Sequence, residues 1–154
     1  MPKFNYIHGR ILSFFDRETG THNFQSDKAI DSITSGGFFG KGIGEGTLKN
    51  RVPEAHTDYI ISVISEEFGV VAIMLILLLF LILIYMVFKK ISFETNDKVK
   101  LILIGSISLI LMQATIHVGV NIRLFPTTGM TLPFLSYGGS STISTSILAG
   151  IILN

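Results

Sequence analysis

The chain has 154 residues, 48% hydrophobic and 15% charged, with a net charge of +1 and no cysteine. A soluble domain carries about 25% charged residues, so the deficit points to a membrane protein. The near-zero charge gives no basic footprint for nucleic acid, and the missing thiols exclude disulfides, thiol catalysis and cysteine-ligated zinc.

The polar residues are concentrated at the front. Nine of the eleven acids precede Gly69, and none follows Asp97. Residues 1–69 read as a single outer segment with short helices and a glycine-rich stretch. The first thirty residues show no apolar core behind a basic start, and so no signal peptide. "MPKFNYIHGRILSFFD" enters this segment without a span ahead of it. "QSDKAIDSIT" reads as a short helix with Ala29, Ile30 and Ile33 on one side.

"SGGFFGKGIGEG" follows, a loop where backbone flexibility or close approach is needed. It is no phosphate loop. Gly40-Lys41 is followed by Gly42 instead of Ser or Thr, and Ser35 stands where the first glycine belongs.

"RVPEAHTDYIISVISEEFG" places acids and a histidine just ahead of the longest apolar run. Pro53 and Thr57 suit a helix start, which puts Asp58 in the first turn as a carboxylate on the positive end of the helix dipole. The alternative is a general base whose pKa is raised by partial desolvation at a membrane boundary. His56 could also be that base, or bind a phosphate. A metal site from Glu54, His56 and Asp58 is disfavoured because alternate residues at a helix start diverge. Glu66 and Glu67 read as solvated interface residues.

Residues 70–88 hold no charge and form a transmembrane helix of ~28 Å, near the hydrocarbon thickness. Residues 89–100 carry four lysines and two acids, which assigns this short loop to the cytoplasm. Residues 101–122 form a second span. Its Gln113 and His117 lie four apart and suggest a buried polar clasp, and Gly105, Ser106 and Ser108 permit close packing. Residues 123–139 are an outer re-entrant loop that carries most of "FPTTGMTLPFLSYGGSS" (125–141). Irregular backbone at membrane depth is tolerated where it lines a cavity. Residues 140–154 begin a third span that is too short to cross. The fold class is therefore all-α integral membrane: part of a polytopic helical bundle with two full transmembrane helices, a partial third and a large outer N-terminal segment.

Together, "SGGFFGKGIGEGTLKNRVPEAHTDYIISVISEEFG" and "FPTTGMTLPFLSYGGSS" resemble the SEDS family (FtsW, RodA, SpoVE) of bacterial membrane glycosyltransferases. "TTGMTLP" is closer to the division branch, FtsW, than to the elongation branch, RodA. The chain departs from the division branch at Thr128, often Lys there, and at His117, often Asn.

The resemblance implies the C-terminal part of a lipid II polymerase, inactive alone, at the bacterial inner membrane with residues 1–69 periplasmic. By the same resemblance Asp58, in "HTD", is the catalytic base. Beside the resemblance, the charge chemistry offers Lys41, Arg51 and Arg123 as cations to meet the diphosphate, with Glu54 and His56 as further substrate-binding candidates. Ser136, Tyr137, Gly138, Gly139 and Ser140 are implied to shape the cavity. No cofactor is firmly implied; a divalent cation stays open. The implied partners are lipid II, membrane lipid, a class B penicillin-binding transpeptidase and division proteins. The alternatives are a non-catalytic remnant or membrane interaction protein of the division machinery, and a lipid II flippase.

Overall fold

Backbone polar groups in lipid must be satisfied within their own segment, which makes the helix the default for each long apolar run. The computed structural model describes residues 21–52 and 55–153. Five helices occur among them: α1 (Thr21–Gly36), α2 (Leu48–Arg51), α3 (Ile60–Phe93), α4 (Asp97–Asn121) and α5 (Gly139–Leu153). The entering stretch "MPKFNYIHGRILSFFD" and residues Pro53 and Glu54 lie outside the described residues.

Two of the helices, α3 and α4, are long and apolar enough to cross a membrane. α3 has 34 residues, ~51 Å at helical rise, well beyond a ~30 Å hydrocarbon layer. It is divided by Gly69, whose φ of 78° and ψ of −176° interrupt the helix where the charge-free run begins. α4 starts cleanly. The Asn96 side chain accepts from the Lys98 N–H (3.0 Å), and Asp97 occupies the first turn. α5 begins at Gly139, one residue earlier than the sequence suggests.

At the lysine-bearing end, Val87 of α3, Leu103, Ile107 and Ile110 of α4 and Ile152 of α5 form one buried cluster. Lys90 adds a hydrogen bond from Nζ to the Ile152 carbonyl (2.9 Å). At the opposite end, Ala29, Leu48, Val52, Ala55, Tyr59, Val63 and Val120 pack together. That cluster joins α1, α2, the turn before α3, and the end of α4. Each large side chain in it contributes about 1.5–3 kcal/mol of burial. It therefore holds the Ala55–Tyr59 turn in place.

Two expectations are corrected. α3 begins at Ile60 with Tyr59 as its N-cap, so Asp58 precedes the helix and is not in its first turn. Glu66 is not a solvated interface residue: it is 1% exposed.

Candidate active site

The site is a turn gripped from two sides. Residues 55–59 form the turn. His56 points to solvent, whereas Asp58 is 7% exposed.

The first grip comes from α4. Gln113, His117 and Asn121 are spaced by four, so they share one helix face. The Asn121 Nδ2 donates to the backbone carbonyls of Asp58 and His117 (2.9 Å each). Its Oδ1 accepts from the Ser62 hydroxyl (2.7 Å) and the Ser62 N–H (3.2 Å). The His117 Nε2 lies 3.2 Å from the Thr57 carbonyl, close enough to donate to it. Both side chains are buried, at 0% and 1% exposure.

The second grip comes from the loop between α4 and α5. The Ser136 hydroxyl donates to the Thr57 carbonyl (2.8 Å) and accepts from the Leu132 N–H (2.8 Å). The Tyr137 N–H donates to the His56 carbonyl (3.1 Å). The loop is itself pinned: the Gln113 amide donates to the Thr131 carbonyl (2.8 Å) and the Ser141 hydroxyl (2.9 Å). Gly129, at φ +71°, lies near the acid. A Cβ there would lie 4.0 Å from the Asp58 Oδ2. The Gln113–His117 pair is thus a polar clasp, closing on the turn and the loop.

A separate ion pair, its carboxylate buried, anchors the glycine loop. The Glu66 Oε1 accepts from the Lys41 Nζ (2.9 Å) and the Thr47 hydroxyl (3.1 Å), and its Oε2 from the Leu48 N–H (2.9 Å). Burial alone would raise this carboxyl. The Lys41 ammonium, the Leu48 amide and Thr47 overcome it and hold the pKa at about 2. Glu66 precedes Gly69 and stands outside the 70–88 run.

The structure brings His56, Asp58, Ser136 and Tyr137 together, with Gly138 adjoining. Gly139 and Ser140 open α5 beside them. Lys41 pairs with Glu66 instead, and Arg123 pairs with Asp27 of α1. Arg51 is exposed on α2, and Glu54 lies outside the described residues. Asn121 was missed from sequence; the signal available was its place one turn beyond Gln113 and His117. Among the described residues, no cluster of three or more His, Asp or Glu is placed to hold a metal ion.

A bundle of apolar helices with a buried carboxylate in a doubly clamped turn defines a class of membrane protein with a polar site at the bundle's end. Comparison with known proteins makes this specific. The family model for FtsW, RodA and SpoVE, described as cell cycle proteins, matches residues 3–154. The chain belongs to that family. It is 38% identical over 161 residues to a probable peptidoglycan glycosyltransferase FtsW of Enterococcus hirae, covering 96% of this chain and 41% of the relative. The FtsW homologue of Caulobacter vibrioides is also 38% identical, with 97% and 38% covered. A solved peptidoglycan synthase complex, in which polymerisation and crosslinking are coordinated, contains a chain that superposes with a TM-score of 0.76 at 28% identity. The match covers 96% of this chain and 40% of that one. The chain thus spans about two fifths of the length of the relatives it matches.

Proposed function

We propose that these residues form the catalytic outer portion of an FtsW-like lipid II polymerase, which builds peptidoglycan glycan strands for septal wall synthesis in division. The observation that carries the reading is Asp58, a carboxylate buried at the boundary of the apolar helices and clamped by α4 and the following loop. The substrate has a lipid tail in the bilayer and a sugar outside, so a base for it must stand at that boundary.

Asp58 takes the proton from the 4-hydroxyl of one disaccharide as that oxygen attacks the anomeric carbon of the growing chain. The new C–O bond forms with inversion while the bond to the undecaprenyl diphosphate breaks, and the diphosphate leaves with its negative charge. Arg51, exposed on α2, is the cation assigned to meet it, because Lys41 and Arg123 would first have to release their carboxylates. Ser136, Tyr137, Gly138, Gly139 and Ser140 wall the sugar site, and His56 flanks the base. An apolar groove of about 360 Å³ between α3 and α4 reaches up to Ile61 and Leu132, next to this turn, and suits a prenyl chain.

Under this reading the protein sits in the bacterial inner membrane with the Asp58 turn on the periplasmic face. Residues 89–100 are cytoplasmic, and a class B penicillin-binding transpeptidase is the partner. The activity requires the full length typical of the relatives. The test is to co-reconstitute this chain with the N-terminal portion of an FtsW relative in liposomes and add fluorescent lipid II. Glycan strands resolved on a gel support the proposal. Lipid II translocation without strands would favour a flippase and overturn it.

A further inference from the structure

The glycine loop carries three large apolar side chains in the open: Phe38, Phe39 and Ile43, at 75%, 86% and 79% exposure. Their position is fixed by backbone. The Val70 and Val71 N–H groups donate to the Gly37 and Phe38 carbonyls (3.0 and 3.4 Å), and the Lys41 N–H donates to the Glu66 carbonyl (2.9 Å). A Cβ at Gly40 would sit 2.2 Å from the Glu67 carbonyl oxygen, and one at Gly69 would sit 2.2 Å from the Phe38 oxygen. The loop tip is therefore locked at the level of Val70, the first residue of the charge-free run. Lys41, the cation within the tip, has its ammonium drawn inward to Glu66.

The patch is continuous with exposed apolar surface on α3. Val70 and Val71 are 39% and 52% exposed, and Met74 one turn further is 62% exposed. A contiguous apolar surface of this kind marks a contact site. A contact that starts at the head of an apolar span and continues down it matches the depth profile of a bilayer leaflet, where amphipathic segments seat apolar side chains at the headgroup–acyl boundary. We infer that Phe38, Phe39 and Ile43 are a membrane wedge, seated among the phospholipid glycerol and upper acyl groups around the Val70 end of α3. The wedge ties the glycine loop to the leaflet. Through the Glu66 pair and α3 it sets the height of the Asp58 turn against the lipid surface.

The sequence contains no tryptophan, so one introduced ring reports alone. The variants are Phe39→Trp and Phe38→Trp, with Asp31→Trp on the charged face of α1 as the aqueous control. Each is reconstituted in phosphatidylcholine–phosphatidylglycerol vesicles with or without brominated acyl chains, and helicity is checked by circular dichroism. The wedge predicts blue-shifted emission for the Phe38 and Phe39 variants, most of it lost with brominated lipid and little of it lost to aqueous iodide. The Asp31 variant should show the reverse. Quenching of the Phe38 and Phe39 variants by iodide but not by brominated lipid would place the loop in water and overturn the inference. Blue emission quenched by neither would mean that protein covers the patch, which overturns it equally.

Discussion

Asn121 donates its side-chain N–H to the backbone carbonyl of Asp58 across 2.9 Å, linking the last residue of α4 to the residue proposed as the base. The same amide serves Ser62 on its other side, so one buried side chain ties α4 to both the turn and the start of α3. Replacing Asn121 by Leu leaves the Ser62 N–H and the Asp58 carbonyl without this partner. Each buried unsatisfied group costs about 1–3 kcal/mol. Thermal unfolding of the reconstituted chain, followed by circular dichroism, should show a clear fall in midpoint for Asn121→Leu. An unchanged midpoint would mean that His117 and the Ser136 side hold the turn without Asn121.

Glu66 gives the outer segment a defined acid sensitivity. Its carboxyl ordinarily titrates near 4.5 and is held at about 2 in the folded chain. A folded pKa below the unfolded one contributes stability that is complete above about 4.5 and disappears as the pH falls toward about 2. The difference corresponds to on the order of 3 kcal/mol. Stability measured from pH 7 downward should therefore drop through that window in the parent chain. Glu66→Gln should begin lower at pH 7 and lack this part of the slope. Parallel curves for the two would show that the Lys41–Glu66 pair contributes nothing to folding.

Gly69 allows the glycine loop and α3 to touch. Its φ of 78° with ψ near 180° belongs to a region that only glycine occupies comfortably, and another residue there costs about 1–3 kcal/mol. A Cβ would also strike the Phe38 carbonyl. Gly69→Ala should free the loop, raising hydrogen exchange at the Val70, Lys41 and Gly42 amides while leaving α4 protected. Gly105→Ala is the contrast, because a Cβ at Gly105 meets nothing within 4 Å. Equal protection in both variants would remove the close approach as a cause.

Much of the fold was legible because the signals were local. The charge-free run 70–88 lies inside α3, and the second span, 101–122, lies in α4 up to Asn121. "QSDKAIDSIT" lies inside α1, with Ala29 fully buried. The glycine-rich stretch calls for backbone flexibility or close approach, and Gly36 and Gly40 within it approach other backbone closely. Glu66 and Asn121 were not legible in the same way. Whether a polar side chain is solvated or buried depends on partners far off in sequence. Glu66 meets Lys41 25 positions away, and Asn121 meets Asp58 63 positions away. The start of α3 misled for a related reason. Pro53 and Thr57 have helix-start chemistry, but the Thr57 and Asp58 carbonyls are already committed to His117, Ser136 and Asn121.

The central claim is that Asp58 is the base. The most direct measurement is glycan-strand synthesis from lipid II by the co-reconstituted protein carrying Asp58→Asn, with lipid II binding and thermal unfolding measured on the same preparation. Asn keeps the size of the side chain and both backbone clamps but cannot accept the hydroxyl proton. The account predicts that binding and unfolding stay near the parent values while strand synthesis falls by about 10²-fold or more, the usual scale of a lost general base. Strand synthesis at the parent rate by Asp58→Asn would contradict it.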